Sequence, residues 1–320
     1  MQQVTVIIPN LNEQNYIREA LISLKEQTYQ NMDVTVVDNA STDGSCELIR
    51  QEFPWVKLIV LDKNYGFCGG VNAGIRDTKS PYVVLFNNDM KAHPKFVEHL
   101  VERMEKDRNI FSCQAKMLQM DRPEMVDDEG DFYCALGWAF ARGKDCSSDL
   151  FAQADQVFSA CGGAVIYRKS ILDKIGLFDE AHFAYLEDVD LGFRAKICGY
   201  ENWYEPSAVV YHKGSASTGG RYNRFKVEHS SANSVYLIYK NMSRWQILIN
   251  LPFFLLGYFV KFLFFLIKGM GHIYLKSLWK GVLLARQGEK FQYLAENFDN
   301  SCKIQLELWM NILRFLRKNK

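Results

Sequence analysis

Four stretches decide the fold: VTVIIPN at residues 4–10, VTVVDNASTDG at 34–44, KLIVL at 57–61 and YVVLFNND at 82–89. Each contains a short apolar run rich in β-branched residues, which is typical of a buried strand. The segments between them carry apolar residues at helical spacing, at 15–27, 45–53 and 70–78. Strands and helices that alternate in this way predict a parallel sheet with right-handed crossovers.

The composition is that of a protein with a large buried core. The chain has 320 residues, of which 48% are hydrophobic and 23% are charged. These values exclude a disordered chain and a disulfide-rich miniprotein. The net charge of +1 gives no reason to expect a nucleic-acid partner.

The cysteines and the N-terminus point to a cytoplasmic catalytic part. The eight cysteines form no C-x-x-C pair, so we expect reduced thiols. The first three residues lead directly into an apolar run without a basic segment or cleavage site, so we expect a first strand there and not a signal peptide.

The charge is unevenly distributed. Residues 240–290 carry eight cations and one anion, a balance of +7 against −6 for the remainder. Residues 245–267 have one charge, Lys261, and are long enough to span a bilayer, although Pro252 would kink a helix. In residues 268–286 cations alternate with apolar residues, as in a helix lying in an anionic interface.

We therefore predict an α/β first region, residues 1–228, and a helical, basic, membrane-associating region, residues 229–320. A membrane-seated hairpin or in-plane helices are favoured over a simple span. A buried helical core or a homodimer face is the alternative. Either membrane arrangement would seat the protein on an anionic membrane surface.

Polar residues follow the predicted strands, at the sheet edge where ligands bind in such folds. Asp38 ends the second strand, where a carboxylate can accept a hydrogen bond from a base or ribose. Asp89 ends the fourth strand and offers one hard oxygen ligand for Mg²⁺ or Mn²⁺ completed by a diphosphate. An Asx turn is the alternative for Asp89. Residues 64–74 place four glycines where a loop enters a helix and backbone N–H groups attract phosphate, but they do not form the dinucleotide fingerprint.

Three acids lie within four residues, at Glu187, Asp188 and Asp190. They suggest a cleft carboxylate able to take a proton from a hydroxyl, whereas Asp190 is expected to pair with Arg194 one turn later. His212 is equally consistent with a ligand and with a packed histidine, beside Lys213 and Ser215 that suit a diphosphate. The six acids within residues 121–131 are expected to lie in a solvated loop.

Seven motifs in order resemble the family-2 inverting glycosyltransferases with the GT-A fold, in particular the rhamnosyltransferase-like branch of bacterial cell-surface polysaccharide synthesis. They span residues 4–218. The motifs are VIIPN at 6–10, VDNASTDG at 37–44, NYGF at 64–67 with NAG at 72–74, FNND at 86–89, GGA at 162–164 with Arg168, EDVDL at 187–191 with Arg194, and His212.

The resemblance implies a role for each residue. Asp188 would be the general base with Glu187 beside it, and Asp89 with His212 would hold a divalent metal, Mg²⁺ or Mn²⁺. Nucleotide-sugar contacts would come from Pro9, Asn10, Asn12, Asp38, Asn64, Gly66, Asn72 and Asn88. Acceptor contacts would come from Gly162, Gly163 and Arg194. Asn87 stands where many relatives carry Asp, which implies a weaker or more substrate-dependent metal site.

The resemblance implies transfer of a sugar, with rhamnose as the first candidate, from a nucleotide-diphosphate donor to a lipid-linked or saccharide acceptor. The reaction would take place at the cytoplasmic face of the bacterial inner membrane, with the protein peripheral or monotopic. One alternative is a catalytically silent membrane adaptor of the same fold. Another is a sugar-nucleotide nucleotidyltransferase, although residues 9–13 lack the Gly- and Arg-rich loop that this class needs after the first strand.

Overall fold

The computed structural model describes residues 1–214, 222–292 and 294–318. The strands are β1 Val4–Asn10, β2 Met32–Asp38, β3 Lys57–Val60, β4 Tyr82–Phe86, β5 Met90–Ala92, β6 Ile110–Gln119, β7 Arg122–Asp128, β8 Asp131–Cys134, β9 Trp138–Ala141, β10 Asp155–Val157, β11 Ala164–Arg168 and β12 Glu201–His212. The helices are α1 Gln14–Lys25, α2 Ser45–Glu52, α3 Gly66–Asp77, α4 Phe96–Lys106, α5 Lys169–Ile175, α6 Glu187–Ile197, α7 Arg224–Asn241, α8 Arg244–Ile267, α9 Gly271–Gln287 and α10 Phe298–Lys318.

One large sheet organises the first two thirds of the chain. Its strand order is β10-β12-β6-β11-β4-β1-β2-β3, with β5 beside β12 and β7 beside β6. The predicted parallel pairing is confirmed for β1 with β2 and β4, and for β2 with β3. By contrast, β11 lies antiparallel to both β4 and β6, so the sheet is mainly parallel near its first strands and mixed beyond them.

Alternate residues of the central strands pack on opposite sides of the sheet, which is why these strands are apolar throughout. In β1, Ile8 joins the core formed with α1, α2 and α4, whereas its neighbour Ile7 joins the core formed with α3, α5 and α6. The helix predicted to start at Gly70 begins earlier, at Gly66. Its glycine-rich first turn is therefore helical and not a loop.

The acidic segment is not the predicted solvated loop. Asp121 and Glu124 are exposed, but Asp128 and Glu129 are 8% and 0% exposed. The segment forms β7, which pairs with β6, and leads into β8. The prediction was wrong because composition alone does not show that an acid can be buried in a strand when it has a hydrogen-bonding partner. Gln114 is such a partner for Asp128.

The C-terminal helices form a layer on the sheet domain. The predicted boundary between residues 228 and 229 falls inside α7, so a division there would cut a continuous helix. Lys240 of this helix bonds to Asp179 and Asp190 of the first region. Among the described residues one helix, α8, is long and apolar enough to cross a membrane by length and composition. Large apolar side chains on α8 are exposed, including Leu255 at 65% and Phe259 at 58%.

Candidate active site

A chain of side-chain hydrogen bonds links three strand ends. Asn88 Nδ2 donates to Asn10 Oδ1 (2.9 Å), and Asn10 Nδ2 donates to Asp38 Oδ2 (2.8 Å). Asp38 Oδ1 accepts from the backbone N–H of Ser41 (2.7 Å). These three residues, Asn10, Asp38 and Asn88, are called the strand-end cluster below. They meet because β1 lies between β2 and β4 and all three strands run in the same direction.

Two further predicted positions border this cluster. Pro9 is half-buried at the end of β1, and Asn12 is exposed in the turn that follows. The Asn12 side chain accepts a hydrogen bond from the Thr42 backbone (2.8 Å), while its own N–H donates to Ser41 Oγ (2.9 Å). The turns after β1 and β2 are thus tied together beside the strand-end cluster.

The start of α3 forms another wall. Gly66 has φ +74°, and a Cβ there would lie 2.5 Å from the Phe183 carbonyl oxygen, so a glycine is required. Its N–H donates to Asn64 Oδ1 (2.8 Å), and its carbonyl accepts from Asn39 Nδ2 (3.3 Å). These bonds bring Asn64 and Gly66 next to the strand that ends in Asp38.

His212 joins Asp89 to an acid that sequence reasoning missed. His212 Nε2 lies 3.3 Å from Asp89 Oδ1, and Nδ1 lies 2.7 Å from Asp127 Oδ2. Burial lowers the pKa of His212, but the bonds to Asp127 and Asp89 outweigh it and raise the pKa to about 9. Burial likewise opposes ionisation of Asp127, yet the His212 and Lys144 bonds lower its pKa to about 2.

The chemistry of Asp89 and His212 fits a divalent cation. The raised pKa means that Nε2 also carries a proton near neutral pH, which a bound cation would displace while Nδ1–H stays on Asp127. A carboxylate oxygen and an imidazole nitrogen are ligands that Mn²⁺ accepts, and a carboxylate behind the histidine is the usual support for such a ligand. Asp89 is 8% exposed.

A second group of ionisable side chains brings together two aspartates and a cysteine. One ligand atom from each of Asp131, Cys161 and Asp188 lies within 4.8 Å of the others, and all three residues are partly exposed. We call these three residues the acidic cleft. Burial, then the charge of Asp128 and then that of Asp188 raise the pKa of Asp131 well above its usual value. Burial also raises the pKa of the Cys161 thiol, which makes thiolate ligation of a hard cation unfavourable there.

Asp188 is tied through a glycine pair to Asn87, the residue before Asn88 of the strand-end cluster. The Gly162 N–H donates to Asp188 Oδ2 (3.2 Å), and the Gly163 carbonyl accepts from the Asn87 N–H (2.9 Å). Burial raises the pKa of Asp188, although the Gly162 bond opposes the rise. Glu187 is 7% exposed, and burial followed by the Asp188 charge raises its pKa well above the usual value. The predicted base and the predicted metal ligand therefore belong to adjoining segments.

Two predicted contact residues are used inside the protein. Arg194 is 2% exposed and donates to Asp190 (2.9 Å) and to the carbonyls of residues 175–177. This confirms the expected Asp190–Arg194 pair and corrects the predicted acceptor contact, because the guanidinium has no free edge. Asn72 is 1% exposed and bonds to Phe178 through both amide atoms, which corrects its predicted donor contact in the same way.

Sequence reasoning missed Asp127, Asp131 and Cys161. Asp127 pairs with a histidine 85 residues away, and no local pattern encodes that distance. The usable signal was the run of acids at 127–131 directly before an apolar strand, which is unusual for a solvated loop. Ser215, which was expected to suit a diphosphate, lies outside the described residues.

Comparisons with known proteins agree on one family. The model described as "Glycosyl transferase family 2" matches residues 5–176. The chain is 26% identical over 256 residues to an N-acetylglucosaminyl-diphospho-decaprenol L-rhamnosyltransferase of Mycobacterium tuberculosis, covering 72% of this chain and 82% of that protein.

Solved structures carry the same fold. The mannosyltransferase PcManGT of Pyrobaculum calidifontis, solved with GDP-Man and Mn²⁺, has a TM-score of 0.59 at 15% identity and covers 96% of this chain and 85% of its own. GalNAc-T7, solved with UDP, GalNAc and Mn²⁺, has a TM-score of 0.61 at 14% identity over 74% of this chain and 48% of its own. The predicted GT-A fold is confirmed by these likenesses.

Proposed function

The chain belongs to glycosyl transferase family 2 and is a hexosyltransferase-type glycosyltransferase, and from this premise we propose that it moves a sugar, with inversion, from a nucleotide-diphosphate donor to a hydroxyl group. Rhamnose is the first candidate sugar. The single observation that carries the proposal is the junction of Asp188 and Asn87 through Gly162 and Gly163, which sets the acidic cleft beside the strand ends.

The strand-end cluster would bind the nucleotide. Asp38 is 0% exposed and is held by Asn10 and by the Ser41 N–H. A base or ribose would therefore reach its carboxylate only by taking the place of one of these two donors. Asn88, Asn12, Asn64, Gly66 and Pro9 would complete this surface. The support is that the asparagines and Gly66 are bonded to one another or to shared partners at one edge of the sheet, where β1 also places Pro9.

Asp89 and His212 would hold Mg²⁺ or Mn²⁺ on the donor diphosphate. A bound cation supplies neutralisation of the negative charge on the departing diphosphate. Asp127 would orient His212 through the Nδ1 bond (2.7 Å). The Asn at position 87 leaves Asp89 as the acid of this motif, which supports a site that is completed by the donor itself.

Asp188 would take the proton from the acceptor hydroxyl. A displacement that inverts the anomeric carbon needs a base on one face of the sugar and a stabilised leaving group on the other. The raised pKa of Asp188, caused by burial, brings this carboxylate closer to the range in which a base works well. Glu187 would lie behind it, and Gly162 and Gly163 would border the acceptor.

The acceptor would be lipid-linked or a saccharide, presented at the cytoplasmic face of the bacterial inner membrane. The curated relative is named for a diphospho-decaprenol acceptor, which supports a lipid-linked one. The exposed apolar side chains of α8, together with Leu275 and Trp279 of α9, support seating on a membrane surface. A dimer through the same face is the alternative use of these side chains.

A donor screen tests the proposal. Purified full-length protein with Mn²⁺ is titrated with UDP-, dTDP- and GDP-sugars, and we expect binding of at least one, with dTDP-rhamnose first. Product formation is then measured with a lipid-diphosphate saccharide acceptor. Binding of none of these donors would reject the proposal.

The two other functions predict different results. An adaptor of the same fold would transfer no sugar either as wild type or as the Asp188→Asn variant. A nucleotidyltransferase would release inorganic diphosphate from a nucleoside triphosphate and a sugar phosphate. The family membership and the curated relative support glycosyl transfer over both.

A further inference from the structure

One side chain of the C-terminal region holds the loop that leads into Asp188. Asn233, on α7, is 1% exposed. Its Nδ2 lies within hydrogen-bond distance of three backbone carbonyls, those of His182 (2.8 Å), Ala184 (2.9 Å) and Tyr185 (2.8 Å). The two N–H groups of the Asn233 amide are thus shared among three carbonyl acceptors of one short loop.

This loop has an unfavourable backbone. Phe183, Tyr185 and Leu186 have φ values of +61°, +72° and +67°, which non-glycine residues rarely adopt. Leu186 is the residue from which α6 begins, and its carbonyl accepts the Asp190 N–H (2.9 Å). The strained residues therefore determine the position of the first turn of α6, which contains Glu187 and Asp188. Strain of this kind persists only where the surroundings hold it.

The loop also makes backbone hydrogen bonds, from the Ala184 N–H to the His182 carbonyl (2.7 Å) and from the Cys68 N–H to the Phe183 carbonyl (3.3 Å). The Phe183 ring stacks on His229, also on α7, at 5.3 Å between centroids. A ring contact does not fix the directions of three carbonyls, whereas the Asn233 amide does. The helix that carries Asn233 is itself pressed against α9, because a Cβ at Gly281 would lie 2.3 Å from the Ala232 carbonyl oxygen.

We propose that Asn233 is a positioning residue for the reaction: it holds the loop 182–186 in its strained conformation and thereby sets the Asp188 carboxylate for proton transfer. This inference rests on the proposed function. It also assigns the C-terminal helices a role besides the proposed membrane contact, since α7 and α9 together would position the segment that carries Asp188.

The experiment compares Asn233→Ala with Asn250→Ala in the full-length protein, using the donor and acceptor identified by the screen. Asn250 is a buried asparagine of α8 that bonds to Gln246 and Gln305 and does not touch the loop. The two variants are matched in buried amide loss. We expect Asn233→Ala to lower kcat about 10- to 100-fold, the cost of a base displaced by about an ångström. Donor Kd should stay within about threefold, since the strand-end cluster is untouched.

A second variant guards against loss of folding. Asn233→Ser keeps a small donor in place but loses at least one of the two N–H groups, and it should give a smaller fall in kcat with the same unchanged donor Kd. Folding is judged by donor binding and by the thermal midpoint relative to Asn250→Ala.

Each result decides the matter. A kcat fall confined to the Asn233 variants supports the inference. Equal kcat values for Asn233→Ala and Asn250→Ala, parallel loss of donor binding, or failure of both Asn233 variants to fold while Asn250→Ala folds, would overturn it by making Asn233 a general structural residue. A wild-type protein that transfers no sugar would instead reject the proposed function, and the inference with it.

Discussion

The strand-end cluster and the acidic cleft lie side by side but are built differently. Asn10 and Asp38 end strands β1 and β2, Asn88 follows the parallel strand β4, and hydrogen bonds join the three residues directly. In the acidic cleft, Asp131 opens β8, Cys161 precedes β11, and Asp188 stands in the first turn of α6. The segment before Asp188 is held by a helix that follows the sheet in sequence.

The difference teaches which part of the site tolerates change. Neighbouring strands bring the cluster together whatever the rest of the chain does, because the carboxyl ends of parallel strands share an edge. The acidic cleft forms only when the tertiary structure brings together three segments that are distant in sequence and holds a strained loop in place. We therefore expect donor binding to withstand changes that abolish transfer, and the following experiments test this separation.

The largest effect should come from Asp188→Asn. Removing a general base lowers kcat by about 10² to 10⁴, while donor Kd should change less than about threefold because the strand-end cluster is unaltered. Both are measured with saturating acceptor and Mn²⁺. Asp173→Asn removes an exposed acid of α5 that pairs with Lys169, and it is the control. A variant that keeps more than about a tenth of wild-type kcat would show that another group takes the proton.

A large effect on membrane binding should follow from the triple variant Leu255→Ser, Leu256→Ser and Phe259→Ser. These side chains are 65%, 56% and 58% exposed. Each contributes about 1.5–3 kcal/mol when buried in an apolar phase, so binding to anionic vesicles should weaken at least about 100-fold. Donor Kd should not change.

The matched control for the membrane experiment is Leu150→Ser. Leu150 is 71% exposed but lies in the sheet domain, outside the helices proposed to contact lipid. Vesicle sedimentation measures both proteins. If the triple variant binds vesicles as tightly as wild type, the membrane role of the exposed face is contradicted. Analytical ultracentrifugation would then test whether this face forms a dimer.

A smaller effect is expected from Asp127→Asn. The amide can no longer accept the His212 Nδ1–H as a charged partner, so Mn²⁺ affinity should fall about 10- to 100-fold. Titration of Mn²⁺ in the presence of donor gives the value. Asp121→Asn removes an exposed acid that pairs with Lys213, and it should leave the affinity unchanged. Similar losses in both variants would mean that general negative charge, and not support of His212, attracts the cation.

The smallest effect concerns pH. Burial raises the pKa of Asp188, and a base must be ionised, so kcat is full above that pKa and falls as pH decreases through it, by up to about tenfold per unit. The acid limb should lie above about pH 4, the ordinary value for an aspartate. The limb belongs to the coupled acids Asp131, Glu187 and Asp188 together. A pH profile of kcat at saturating donor and Mn²⁺ measures it, and a limb at or below about 4 would contradict the raised pKa.

The sequence predicted much of the first region and less of the cleft. The strands that begin at Val4 and Tyr82 were predicted because an apolar run between polar ends has few alternatives. The Asp190–Arg194 pair was predicted because a helix places residues four apart on one face. Arg194 and Asn72 were assigned to substrates because a motif records which residue is present and not whether its donors are already used inside the protein.

Local pattern was enough to establish the family, the parallel unit and the polar residues at its edge, since strand period and strand order act over short distances. The burial of the acids at 128–129, the partnership of Asp127 with His212 and the clamp of Asn233 on the loop before Asp188 emerged only from the folded chain. The bonds of Asp127 and Asn233 join residues about fifty or more positions apart, and Asp128 bonds to Gln114 on the neighbouring strand, 14 positions away. Packing, and not neighbouring sequence, selects such partners.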